Sequence, residues 1–254
     1  MKKLLFLFLP LYLQAQNVSI GNWKDYLSYN SASYIAETDD IIYCVANGGL
    51  FFIQKKDGTI NRLSKITGLS DIGVKQVAYS YELDITIITY ENCNIDLLID
   101  NNIINISDIK RKEVTGIKTI NNITIKDNIA YLSSSLGLVL IDLVNTEIKD
   151  TYNVGDHGES TIINGCTFLG DSIIVATTNG LYFANITASN LTDFNNWKLY
   201  HDSYDSYDNI ITSNNTLFID TSSHIISISI NNNNLIQVFS DSIQINNTNY
   251  ITHS

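Results

Sequence analysis

Asp40-Ile41-Ile42-Tyr43-Cys44-Val45-Ala46-Asn47-Gly48-Gly49-Leu50-Phe51-Phe52-Ile53 reads as two short apolar runs joined by a turn, and it decides the fold because the chain repeats it. The plan returns as Asp127-Asn128-Ile129-Ala130-Tyr131-Leu132-Ser133-Ser134-Ser135-Leu136-Gly137-Leu138-Val139-Leu140 and as Asp171-Ser172-Ile173-Ile174-Val175-Ala176-Thr177-Thr178-Asn179-Gly180-Leu181-Tyr182-Phe183. A weaker copy is Asn215-Thr216-Leu217-Phe218-Ile219-Asp220-Thr221-Ser222-Ser223-His224-Ile225-Ile226, and a degenerate one runs from Asp84-Ile85-Thr86-Ile87-Ile88 to Asn94-Ile95-Asp96-Leu97-Leu98-Ile99. The start points 40, 84, 127, 171 and 215 are 44, 43, 44 and 44 residues apart. Helical solenoids share that period, but their helices need amphipathic runs of about ten or more residues. Here the apolar runs last five to eight residues and are dense in Ile, Val, Tyr and Phe, which is strand chemistry. The reading is an all-β protein, a β-propeller of four-stranded blades.

In the first unit the expected strands are 32–37, 41–46, 50–55 and 59–66, from innermost to outermost. Asn47-Gly48-Gly49 supplies the positive φ of a tight hairpin, and Lys56-Asp57-Gly58 supplies the next turn. Units three and four keep a Gly-Leu step at Gly137-Leu138 and Gly180-Leu181, which turns the chain and buries the leucine between sheets. The expected units are 30–66, 73–109, 116–154, 160–200 and 209–240. Asn22-Trp23-Lys24-Asp25-Tyr26 echoes Asn196-Trp197-Lys198-Leu199-Tyr200 at 174 residues, close to four periods, so 22–29 is read as a latch strand for a closing blade. About five blades are present and Ser242-Ile243-Gln244-Ile245 looks like the start of a sixth. The favoured expectation is an incomplete ring, a piece of a larger propeller protein, with a closed five-bladed ring as the alternative.

Met1-Lys2-Lys3 and the apolar run 4–13, broken by Pro10, form a secretory leader too short to span a bilayer, which needs about 20 residues. Residues 1–15 are therefore expected to be removed, leaving 16–254 as the propeller domain, exported through the inner membrane to the periplasm or outer-membrane surface. Loss of Lys2 and Lys3 leaves 13 basic residues against 26 acidic, a charge of −13, which argues against nucleic acid as a partner. Direct membrane insertion is not expected either. Cys44, Cys93 and Cys166 are too few and too far apart for a disulfide framework, and Cys44 reads as a small apolar strand residue.

Asn22-Trp23-Lys24-Asp25-Tyr26-Leu27-Ser28-Tyr29, Gly49-Leu50-Phe51, Arg62-Leu63-Ser64-Lys65-Ile66-Thr67-Gly68-Leu69-Ser70-Asp71 and Ile106-Ser107-Asp108-Ile109-Lys110-Arg111-Lys112 resemble the PorZ family, in its amino-terminal propeller. The likeness is strong from about Gly21 to Tyr152, looser to about Tyr200, and most distinctive over 62–71. The resemblance implies a component of the type IX secretion system of Bacteroidetes, placed at the outer surface with the sortase PorU and with PorV and PorQ. It also implies presentation of anionic lipopolysaccharide to that sortase, without catalysis of the transfer. The resemblance implies a second propeller and a carboxy-terminal β domain in family members, of which this sequence is expected to cover most of the first propeller. Gly68-Leu69-Ser70 followed by Val74, Val77 and Tyr79 also looks like propellers of periplasmic sensors, so a ligand-sensing propeller of a two-component regulator is the alternative.

Catalytic motifs do not emerge. His157, His201, His224 and His253 lack zinc-ligand spacing, and neither a nucleophile elbow nor a phosphate loop is present. Asp156-His157-Gly158-Glu159 is the one local knot of ligand-type residues and is read as a turn between blades; Tyr204-Asp205-Ser206-Tyr207-Asp208 and Asp39-Asp40 are read likewise. A glycan-degrading enzyme would need two carboxylates about 5 to 9 Å apart, which a sequence cannot place. Strand tyrosines such as Tyr43, Tyr131 and Tyr182 are expected to pack. The expectation is a non-enzymatic binding or scaffolding module with no cofactor, no metal, no nameable catalytic residue and a ligand the sequence leaves unknown.

Overall fold

The computed structural model describes residues 27–241, apart from 160, 189, 202–205, 222–224 and 232–233. The leader, residues 22–26 of the latch expected over 22–29, the 242–245 stub, His224 and His253 lie outside the described residues, and 27–29 of that latch form no strand.

Five four-stranded antiparallel meanders follow one another along the chain. The first blade comprises β1 (Ala32–Glu37), β2 (Ile41–Ala46), β3 (Gly49–Gln54) and β4 (Ile60–Leu63). The second comprises β5 (Val74–Ser80), β6 (Ile85–Tyr90), β7 (Ile95–Ile99) and β8 (Asn102–Ile106), and is followed by the short helix α1 (Asp108–Arg111). The third comprises β9 (Ile120–Lys126), β10 (Ile129–Ser134), β11 (Gly137–Asp142) and β12 (Glu147–Tyr152). The fourth comprises β13 (Ile163–Leu169), β14 (Ser172–Thr177), β15 (Gly180–Asn185) and β16 (Lys198–His201). The fifth comprises β17 (Tyr207–Ser213), β18 (Thr216–Thr221), β19 (Ile225–Asn231) and β20 (Asn234–Asp241). The architecture is therefore all-β, and each innermost strand packs beside the next in the order β1, β5, β9, β13, β17.

The apolar core lies between blades. Tyr43, Val45 and Leu50 of the first blade pack on Val74, Val77, Ile88 and Tyr90 of the second. Ile87, Ile95 and Leu97 meet Ala130, Leu132 and Val139 at the next junction. Tyr131, Leu138 and Leu140 meet Ile173, Val175 and Tyr182 at the third, and Ala176 and Leu181 meet Ile210, Leu217 and Ile219 at the fourth. A fully buried side chain of this kind contributes about 1.5–3 kcal/mol, so each blade gains its stability from its neighbours. Leu50, Leu138 and Leu181, the leucines of the Gly-Leu steps, are all buried. Asn47 and Gly48 both have positive φ at the tip between β2 and β3, and Gly137 sits at φ 106° with no room for a Cβ, which would fall 2.6 Å from the Tyr152 carbonyl oxygen.

β4 stops at Leu63, short of the Ile66 expected for it. The Thr67 hydroxyl accepts the Ser64 N–H at 2.8 Å and turns 65–67 into a 3-10 helix. The ring is open. Every innermost strand has a one-residue bulge, at Ser33, Lys75, Asn121, Asn164 and Asp208. Two residues beyond it, Val77, Cys166 and Ile210 are buried against the preceding blade. The matching residue of the first blade, Ile35, is 65% exposed, because no described blade precedes it.

The two ends of the propeller differ in charge. At one end lie the outer-to-inner connections 64–73, 107–119 and 153–162 together with the second hairpin tips, tied to them by bonds such as Glu91 N–H to the Gly73 carbonyl and Thr178 N–H to the Ile162 carbonyl. Among described residues these segments hold five basic residues (Lys65, Lys110, Arg111, Lys112, Lys118) and six acidic (Asp71, Glu91, Asp108, Glu113, Asp156, Glu159). At the opposite end, the first hairpin tips and the tight third tips hold Asp39, Asp40, Asp57, Glu82, Asp84, Asp100, Asp127 and Asp171 against Lys55 and Lys56.

Candidate functional site

The distinctive 62–71 string leads into the second blade, where two buried carboxylates lock it down. Asp96, wholly buried on β7, accepts the Ser70 N–H at 2.8 Å and the Tyr90 hydroxyl on one oxygen, and the Asn105 amide at 2.8 Å on the other. Asp71 accepts Lys110 Nζ at 2.6 Å and Asn92 Nδ2 at 2.7 Å on one oxygen, with the Ile72 N–H at 3.1 Å on the other. Burial pushes the Asp71 carboxyl upward, but Lys110, Asn92 and the Ile72 N–H outweigh it and hold the pKa at about 2. Burial, and then the bond to Asp96, raise Tyr90. Carboxylates so engaged have little lone-pair capacity left for a cation or a substrate proton. This pair fixes a connection in place. Lys118 does similar work on the next connection, donating to the Ile109, Lys110 and Lys112 carbonyls at 3.1, 2.6 and 2.9 Å beyond the end of α1.

A second constellation follows the bulges along the innermost strands. Gln76 Nε2 donates to the Asn121 carbonyl at 2.6 Å, Asn121 Nδ2 to the Ile163 carbonyl at 2.9 Å, and Asn164 Nδ2 to the Tyr207 carbonyl at 2.8 Å. A bulge leaves its residue out of the ladder and re-aims the side chain, for Asn121 and Asn164 onto the next blade, and Gln76 stands one place beyond the bulge at Lys75. These amides are clasps between blades.

The third is a shallow cleft of about 280 Å³ where the 153–162 connection meets the fourth blade, lined by His157, Tyr182, Phe194, Trp197 and Leu199 among others. His157 adopts φ 57° within a 3-10 turn closed by the Gly158 N–H to the Gly155 carbonyl, and its ring stands 6.5 Å from Phe194, edge to face. Trp197 is buried, donating its indole N–H to the Leu191 carbonyl at 2.9 Å. The cleft offers rings and one imidazole, a surface for contact.

The 156–159 knot does form a turn, and no group of three or more His, Cys, Asp or Glu among the described residues could hold a metal ion. Asp39 and Asp40 lie in an exposed turn where the Thr38 hydroxyl accepts the Asp40 and Ile41 N–H groups. Tyr204 and Asp205 lie outside the described residues, whereas Tyr207 is buried at the start of β17. Tyr43, Tyr131 and Tyr182 are buried, as expected for packing residues. All three cysteines are free and buried, and burial pushes the Cys166 thiol up to about 12, far from a reactive thiolate.

Comparison with known proteins places this geometry in context. The sequence model of the amino-terminal β-propeller domain of PorZ, of the type IX secretion system, matches residues 42–198. That span runs from β2 to the start of β16, across four blades. No curated protein matches the chain. Among solved structures, PorZ from Porphyromonas gingivalis, described as an essential bacterial surface component of that system, is similar with a TM-score of 0.74 and 23% identity over 85% of this chain. The chain spans 29% of that PorZ. The extracellular domain of a putative hybrid two-component system from B. thetaiotaomicron gives 0.58 and 14%, over 75% of this chain and 26% of its own. The β-propeller domain of Cps50 (Swd1) from Myceliophteria thermophila gives 0.57 and 11%, over 83% and 73%. At these identities the structures share a fold; the family rests on the sequence match.

Proposed function

Because the chain belongs to the family of PorZ amino-terminal β-propeller domains of the type IX secretion system, we propose that it acts there as a non-enzymatic scaffold at the outer surface. The supporting observation is the match over 42–198, which spans whole blades and their connections, including the 62–71 segment that Asp71 and Asp96 pin. In this reading the chain is exported by its leader and forms part of a surface assembly with PorU, PorV and PorQ. The assembly delivers anionic lipopolysaccharide to the sortase, which performs the transfer. Rigid blades joined by amide clasps suit a part that holds other proteins in register. The likeness to a two-component extracellular domain, at 14% identity, concerns the fold.

Deletion of the gene in its host tests the role. Surface attachment of type IX cargo should be lost and unprocessed cargo should accumulate inside the envelope, with recovery when the intact gene is returned. A deletion strain that still displays processed cargo would refute the assignment. Co-purification of the intact gene product with PorU and PorV tests the partners separately.

A further inference from the structure

Leu27, Ile72, Ile117 and Ile162 are spaced by 45 residues each and stand exposed at the same end of the propeller, Ile117 at 85%. Each precedes an innermost strand, so the topology sets them as an apolar rim around one end, one at the entry to each of the first four blades. Leu27 belongs to this end because neighbouring Asn30 accepts the side-chain amide of Asn47 at the first blade's second hairpin tip. Large exposed apolar side chains that recur at the entries to successive blades give this end a repeated apolar character.

We infer that this rim is the face through which two copies of the chain pair, end to end, about a two-fold axis. Charge decides the occupant. An isologous contact sets a surface against itself, so a strongly acidic end would repel its copy. Among the described residues the opposite end is of that kind, with eight acids against two lysines, whereas the three connections and second hairpin tips of the rim end are nearly balanced, with five basic residues and six acidic. The balance is also divided by sector. Exposed Lys112 lies on the connection that carries Ile117, and exposed Glu159 on the connection that carries Ile162, in adjacent blade junctions. A two-fold axis across the third blade brings Lys112 of one copy to Glu159 of the other, and the reverse, while Ile117 meets Ile162. A near-neutral rim also lacks the basic excess that draws amphipathic surfaces to anionic lipid.

The purified full chain, followed by sedimentation velocity over rising concentration, tests the pairing. A dimer in equilibrium with monomer is expected. Ile117→Asp should weaken it by at least about tenfold, with the melting curve unchanged because the side chain is exposed. Lys112→Glu and Glu159→Lys should each weaken it, and the double variant should recover it, which only a reciprocal contact between copies explains. Ile35→Asp, on the open face of the first blade, should leave the dimer as it was. Monomer at every concentration, or a dimer lost through Ile35→Asp and not through Ile117→Asp, would overturn the pairing. So would a monomer that floats with phosphatidylglycerol vesicles through Ile117.

Discussion

Replacing Asp96 by alanine should be among the most damaging single changes in the second blade, although nothing apolar is lost. The carboxylate is wholly buried and accepts three donors. Asn105 retains other acceptors, the Asn94 side chain and the Ile95 carbonyl, both at 3.0 Å, so the Asp96→Ala chain orphans two donors, the Ser70 N–H and the Tyr90 hydroxyl. An unsatisfied buried donor costs about 1–3 kcal/mol, giving about 4 kcal/mol for the pair. For a chain of this size that is a fall in Tm of about 8–16 °C. Tyr90→Phe removes one donor and leaves the carboxylate its other bonds, so it should cost about 1.5–3 kcal/mol. Urea and thermal unfolding followed by far-UV circular dichroism measure both. Limited proteolysis should then show cleavage within 64–73, the segment that Ser70 anchors and that carries Ile72. An Asp96→Ala protein within about 1 kcal/mol of the parent, or less harmed than Tyr90→Phe, would refute the lock.

Other outcomes follow from the same geometry. The Asp71 carboxyl is depressed from 3.8 to about 2, so its contribution is complete above 3.8 and is lost as pH falls through about 2; Asp71→Asn should flatten the stability profile in that window. Burial raises Tyr131 from 10.0 to about 12, so the neutral phenol supports the fold below pH 10 and that support is lost as pH rises through about 12; absorbance titration at alkaline pH should show a late phenolate that Tyr131→Phe removes. Gly137→Ala places a Cβ against the Tyr152 carbonyl at φ 106° and should lower stability by about 1–3 kcal/mol, read from urea midpoints. Asn164→Ala breaks the clasp to the Tyr207 carbonyl and should destabilise by about 1–2 kcal/mol, with hydrogen exchange rising first in β17.

The fold was legible because the blade repeats and its hairpin tips carry strong local signals, as at Asn47-Gly48 and Gly137-Leu138. The bulges were not legible. One unpaired residue leaves no mark in a single sequence, although Ile120-Asn121 and Ile163-Asn164 show in retrospect an apolar residue followed by an amide at the matching place. The second unit looked degenerate for a physical reason. Where other blades bury apolar side chains, β7 and the turn before it present Asn94 and Asp96 to the incoming connection, so a polar lock replaces the Gly-Leu step. The cleft was beyond reach because His157 and Phe194 are brought together by tertiary folding alone. The 156–159 turn, by contrast, could be read from its flanking glycines.

Placing the core between blades determines where new chemistry can arise. Both faces of an inner blade are committed to neighbours, so a change at Leu138 or Val175 disturbs a junction and the sheets beyond it. The connections 64–73, 107–119 and 153–162 are ten to thirteen residues long and each commits one side chain to a junction, Leu69, Ile109 or Val154, while Asp71, Asp96 and Lys118 fix the first two in place. Loops that are free in sequence but fixed in place suit recognition. Variation at their exposed positions, such as Ile72, Ile117 and Ile162, alters what the propeller meets without altering whether it folds. Substitutions at Ile72, Ile117 and Ile162 should therefore separate association from stability, and substitutions at Leu50, Leu138 and Leu181 should not.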